Sequence, residues 1–214
     1  MGKNVLMPSP TVALGPHPLT LRMLDELVLT PDAGLTGSGP DRALSLATSR
    51  FMARERVDMG RLAQRAEVGR VTLYRWFGDR EGLLARVMWV LSRQCLAWLV
   101  EQDEPTPEHT LASVQVFMEV TSAYPPLRHF MAHEPAVALR SMLEQTSPLV
   151  ESLTEWATDR LTAAHFGEAG GPTAAELADV LVSLTSTYCW ARVIAGGEAD
   201  IAGAMRAVRV LLRS

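Results

Sequence analysis

Cysteine is almost missing from this chain. Cys95 and Cys189 are the only two, far apart and in no CxxC spacing. That argues against a disulfide framework or a cysteine-rich zinc site, and it fits a reducing cytosol. Long apolar runs are missing too. None approaches the ~20 residues that span a bilayer, and the best, Val87 to Val100, is interrupted by Ser92, Arg93 and Gln94. Pro8, Pro10, Pro16 and Pro18 break up any signal-peptide core behind Lys3. The expectation is a cytoplasmic protein with no membrane contact. Lys3 is also the sole lysine; the other nineteen basic residues are arginine. Aromatics reach only 6% and the formal net charge is −4. A mildly acidic chain repels phosphate, so the total by itself speaks against a nucleic-acid partner. What is abundant is apolar: 48% of 214 residues, enough for one or two domains with a real core and too much for a disordered chain.

Residues 1–40 hold six of the thirteen prolines and five of the fifteen glycines. Such punctuation excludes a continuous element and marks an N-terminal extension. Leu19 to Leu29 is amphipathic enough for a short helix, and 33–40 reads as a linker. From Asp41 onward the apolar spacing is helical throughout, with no strand alternation. The pattern predicts nine helices, over 41–56, 59–66, 70–77, 80–101, 108–123, 126–133, 136–166 with a break near Pro148, 173–195 and 199–213. The fold class expected is all-α. A small domain over 41–88 precedes a larger one over 89–214.

Charge separates the two. Residues 41–93 carry eleven arginines against six acids, whereas residues 94–214 carry seven arginines against fifteen acids. A basic segment is fused to an acidic one, and the average hides both.

Within the basic segment, Met59 to Leu84 places two short helical patterns around Glu67-Val68-Gly69, the spacing of a helix-turn-helix. Leu62, Ala63 and Ala66 are expected to pack on Val68, Leu73 and Phe77, with Asp58 as N-cap. Leu73 and Phe77 share one face. Arg70, Val71, Tyr74 and Arg75 are then left for the other, where a major groove accepts them. Arginine matches the O6 and N7 acceptors of guanine. Thr72 and Tyr74 offer hydroxyls to phosphate, and Arg80 opens the next helix, where an anion is welcome.

The runs Leu62-Ala63, Thr72-Leu73-Tyr74-Arg75-Trp76-Phe77 and Arg80-Glu81-Gly82-Leu83-Leu84 closely resemble the DNA-binding domain of the TetR family of transcriptional regulators, over about residues 41–90. The resemblance implies a homodimer that carries two such domains to a palindromic operator, with an all-helical C-terminal domain that binds a small molecule and dimerises. It implies phosphate contacts from Thr72, Tyr74 and Arg80, where lysine is more frequent. It further implies base or backbone contacts from Arg70 and Arg75, a phosphate contact from Arg61, and a flanking contact from Trp76. Two departures stand out. The family turn usually reads Gly-Val-Ser, so Glu67 fills a left-handed position at some cost, and Gly69 replaces a hydroxyl cap. The runs Arg56-Val57-Asp58-Met59, Tyr74-Arg75-Trp76 and Met88-Trp89 are similar to the QsdR-type subgroup, regulators associated with lactone catabolism, which makes a lactone-like effector the expectation.

Beyond residue 90 only periodicity speaks. Leu177, Leu181 and Leu184, then Met205, Val208 and Leu212, form apolar stripes that one acidic domain cannot easily bury; the resemblance implies a four-helix interface with the same helices of a second copy, and the alternative is an ordinary single-chain core. Trp98, Phe117, Met118, Phe130, Met131, Met142, Trp156, Phe166 and Trp190 are candidates for an apolar ligand cavity or for plain core. Thr121, His129, His133, Thr185, Thr187, Tyr188 and Arg192 are candidate polar neighbours. His129 and His133 stand at i and i+4 beside Glu134, a possible metal face, but no third ligand follows from the sequence. No metal or cofactor is expected. No HExxH, P-loop or GxSxG run occurs, and Gly34 to Gly39 follows no strand, so a phosphate loop is excluded. The reading is a ligand-responsive repressor, not an enzyme. The alternatives are an enzyme using the C-terminal cavity, or a dimer that binds DNA constitutively.

Overall fold

The computed structural model describes residues 39–101, 106–167 and 171–212. The helix expected over Leu19–Leu29 and nearly all of the N-terminal extension lie outside them. Among the described residues every regular element is helical.

Four helices form the basic end: α1 (Gly39–Met52), α2 (Met59–Arg65), α3 (Arg70–Phe77) and the 22-residue α4 (Arg80–Glu101). α1 begins inside the stretch read as linker and stops short of residue 56, because Arg54 turns the chain at φ 58°. The body contains α5 (Pro107–Ala123), α6 (Pro125–His133), α7 (Pro135–Leu143) and α8 (Pro148–Ala163). α9 (Ala174–Ser186) continues through a π-helical turn, Thr187–Ala191, into Arg192–Ile194, and α10 (Ile201–Leu211) closes the fold.

Proline sets the starts of four body helices. Pro107, Pro125, Pro135 and Pro148 each open a helix, where the missing N–H is no loss and the fixed φ is already helical. Three of these helices therefore begin one residue earlier than the periodicity indicates. The expected break near Pro148 is complete, so 136–166 is two helices and there are ten in all among the described residues. Oxygen caps secure other ends. Thr106 accepts from His109 N at 3.3 Å, Asp200 from Gly203 N at 2.8 Å, and Thr173 forms a reciprocal capping box with Glu176.

The core is continuous from end to end. α4 carries it: Leu83, Leu84, Val87 and Met88 are buried toward α1, and Leu91, Cys95, Leu96 and Leu99 toward the body. The boundary expected at 88/89 therefore falls inside one unbroken helix. α8 packs along α9, and both α4 and α7 lie against α8, while α10 packs on α9 and α5. This arrangement corrects the dimer assignment. Leu177, Leu181, Met205, Val208 and Leu212 are buried within the single chain, because α8, α5 and α10 cover the stripes that were assigned to a partner. Only Leu184 stays half-exposed. Among the described residues no helix is long and apolar enough to cross a membrane.

Candidate nucleic-acid interface and ligand cavity

α2 and α3 meet as the sequence indicates. Leu62, Ala63, Ala66, Leu73 and Phe77 are buried together, with Val68 half-buried beside them. Asp58 caps α2, its carboxylate accepting from Arg61 N at 2.8 Å. That bond holds the carboxyl below its ordinary value. Glu67 adopts the left-handed conformation at φ 58°, which costs a side-chain-bearing residue about 1–2 kcal/mol. Its carboxylate is 3.4 Å from Arg42. Gly69 starts α3 with no side-chain cap. The close passage between α3 and α4 needs Gly82, since a β-carbon there would collide with the Phe77 carbonyl oxygen.

The outer face of α3 is exposed. Arg70, Val71, Tyr74 and Arg75 all face solvent, Val71 at 81% and Tyr74 at 49%. Arg61 is exposed on α2, and Thr72 is half-buried beside the exposed face. Gln64 and Arg65, not singled out by the motif, are exposed too. Arg70 lies against Gly60, and its charge helps lower the Asp58 carboxyl. Two residues sit differently from the expectation. Trp76 is half-buried, against Gly39 and edge-on to Phe77 at 6.3 Å, so it ties α3 to the start of α1. Arg80 turns inward. Its Nε donates to Val57 O at 2.6 Å, and its two terminal nitrogens reach Glu134 at 2.7 and 2.8 Å.

Glu134 thereby fastens the body to the basic end. A second pair, Arg140 to Glu81 at 2.7 Å, does the same across α7 and α4; the Arg140 guanidinium holds the Glu81 carboxyl below the usual range. Phe51 and Phe130 meet edge-on at 5.5 Å in the same seam. An open cleft of about 630 Å³ runs along it. His129 and His133 line this cleft rather than the apolar cavity of the body. Their rings stack at 3.9 Å, and His133 Nδ1 lies 2.9 Å from His129 O. Among the described residues no three His, Cys, Asp or Glu side chains come together.

The apolar cavity lies inside the body, about 40 Å³, between α4, α5, α8 and α9. Phe117, Thr121, Trp156 and Thr185 line it as expected, as do Met118 and Trp190. Three of the candidate polar neighbours sit elsewhere: Tyr188 packs half-buried on the core, Thr187 is exposed and donates to Ser183 O at 2.8 Å, and Arg192 is exposed with Nε donating to Glu198 O at 3.2 Å. The Trp98 side chain lies outside the described residues. Leu96, Val114, Leu153, Ala157, Leu181 and Cys189 share the rest of the wall with Val182 and the hydroxyl-bearing Ser186. Periodicity marked Leu181 only as interface, since a core stripe and a cavity wall read alike. A second apolar cavity of about 30 Å³ adjoins, and Trp190 and Thr121 border both. Burial pushes the Cys189 thiol up to about 11 and the Cys95 thiol to about 12.

An exposed cationic helix held by a helix-turn-helix, on a helical body with an internal apolar cavity, defines a one-component transcriptional regulator. Residues 107–213 match the family model of the tetracyclin repressor-like C-terminal domain. The solved structure of the R. erythropolis transcriptional repressor QsdR, from the TetR family, superposes with a TM-score of 0.72 at 27% identity, covering 82% of this chain and 94% of that one. No protein of curated function matches significantly. The chain belongs to the TetR family of transcriptional regulators, whose members bind DNA as dimers and are generally not enzymes.

Proposed function

We propose that the protein is a repressor that two copies carry to a palindromic operator and that a small apolar effector releases. The observation behind this reading is the outer face of α3. A β-branched apolar side chain at 81% exposure between two exposed arginines suits base edges, where a methyl group contacts thymine and a guanidinium contacts guanine. Arg70, Val71 and Arg75 are assigned to bases. Arg61, Thr72 and Tyr74 are assigned to phosphate, while Arg80 contacts phosphate only when Glu134 lets it go. The second copy sits on the exposed side of α9, around Val180 and Leu184, which the chain itself leaves open. The residues that resemble the lactone-associated subgroup do not line the 40 Å³ cavity, so the effector's head group is set by the cavity's own chemistry.

Selection of bound duplexes from a random pool tests the reading. A two-fold symmetric site should emerge, with affinity falling steeply as salt rises. Arg70→Ala should cost about 1–3 kcal/mol and relax one base position, and Tyr74→Phe should weaken all sequences alike. A flat salt series, or unchanged binding by both variants, refutes the assignment of α3.

A further inference from the structure

The seam between the basic end and the body holds more open space than either cavity inside the body. At about 630 Å³ its cleft falls within the ~300–1,000 Å³ of small-molecule sites, whereas the internal cavities of about 40 and 30 Å³ do not. Both parts of the molecule build it. The turn after α1 supplies Arg54 and Arg56, α4 supplies Arg80, and α6 with the residue after it supplies His129, His133 and Glu134. Part of the lining is apolar: Phe51, Val57, Leu84 and Phe130 contribute to it and are each at most 5% exposed.

Charge on this lining is unbalanced. Three arginines meet two carboxylates, and both carboxylates are engaged: Glu134 takes the two terminal nitrogens of Arg80, and Glu55 is 2.9 Å from Arg50. Arg80 also has its Nε on Val57 O, so all three of its nitrogens are occupied. Arg56 comes no nearer to a carboxylate than 3.9 Å, at Glu134. Arg54 has no side-chain partner among the described residues. It also stands at a left-handed backbone position, φ 58°, where glycine would sit without strain. The stacked His129 and His133 can add positive charge to the cleft and cannot cancel it. Two unmatched guanidinium forks suit an oxygen-rich anion, and the apolar lining suits a hydrocarbon body attached to it.

We propose that the seam cleft is a ligand site distinct from the internal cavity, for a small organic dianion with an apolar body. Phosphate monoesters and vicinal dicarboxylates share that chemistry, and Arg54 and Arg56 bind the head. The site is independent of what fills the internal cavity, and its ligand touches both parts of the molecule. The probes are 1-naphthyl phosphate and naphthalene-2,3-dicarboxylate, set against uncharged 1-naphthol and against inorganic phosphate, each titrated calorimetrically into the full chain. At least one dianion should bind about tenfold or more tighter than naphthol and inorganic phosphate, which each lack half of the match; which dianion binds identifies the head. Arg54→Gly removes the cation together with the strained position, so Tm should not fall while dianion affinity drops about three- to fivefold. Arg56→Gln should weaken the dianion equally, and the double variant by about tenfold or more. Arg70→Ala, on the outer face of α3, should bind the dianion as the unaltered protein does. No binding of either dianion, equally tight binding of naphthol or inorganic phosphate, or full affinity in the double variant overturns the proposal. Loss of binding in Arg70→Ala overturns it too, by placing the anion on the reader.

Discussion

Replacing Glu134 by glutamine separates two jobs that Arg80 can perform. In the free protein the arginine is held by two nitrogens to one carboxylate at 2.7 and 2.8 Å, with side-chain exposures of 17% and 22%. A fully exposed pair would contribute about 0–1 kcal/mol, and breaking a fully buried one by removing a partner costs about 3–5 kcal/mol. This pair lies between, so Glu134→Gln should destabilise by about 1–3 kcal/mol. For a chain of this size each kcal/mol lowers Tm by about 2–4 °C, giving a fall of about 2–12 °C at fixed protein concentration. The freed guanidinium then becomes available to a phosphate at the start of α4. One more neutralised phosphate steepens the slope of log K against log salt by about 0.9. Calorimetric melting and a salt series on the selected operator measure both. An unchanged Tm refutes the clamp. A lowered Tm with an unchanged slope refutes any phosphate contact by Arg80.

The second clamp is sensitive to acid. Glu81 has its pKa lowered chiefly by the hydrogen bond from Arg140, so its stabilisation is complete above the ordinary carboxylate range and is lost as pH falls through the lowered value. Glu81→Gln should flatten the acid limb of Tm against pH, and coincident limbs would refute this. The two thiols, raised by burial to about 11 and 12, should resist iodoacetamide at pH 8 in the native protein and react fully in denaturant; native-state labelling followed by mass spectrometry would expose an error. Val180→Glu should convert the proposed dimer to a monomer in light scattering, since Val180 is 46% exposed on α9. A dimer that survives moves the interface off this helix.

The reader was legible because its constraints are local. Leu73 and Phe77 at i and i+4, Asp58 as a cap and Glu67 in a left-handed turn each follow from a few neighbouring residues, and all four stand in the structure. The helix starts at Pro107, Pro125 and Pro135 were legible to within a residue, since proline fixes its own backbone. The failures are long-range. Nothing near Arg80 in sequence announces Glu134, 54 residues away. Leu177, Leu181, Met205 and Val208 carry the same apolar signal whether the covering helix comes from the same chain or from a second copy. His129 and His133 share a face as expected, but which cavity that face meets depends on how α6 is docked.

The sign change along the chain acts at the seam as well as at the DNA. Basic α1–α4 and the acidic body attract each other, and the attraction is concentrated at Glu134, which takes Arg80 and lies 3.9 Å from Arg56. The same α4 whose first residue is held there lines the cavity with Leu96, about 24 Å further along at 1.5 Å per residue. On the proposed function, the continuous helix between the cavity and an ion-paired foot is where an effector would act: opening the cavity would displace Leu96, and the cost of following that displacement would fall on the bonds at Arg80. Release of DNA then depends on how much better the effector fits the opened body than the closed one, since a ligand that fits both equally shifts nothing. Cavities as small as these make that difference large for any ligand bigger than a few waters, because the closed body has no room for it.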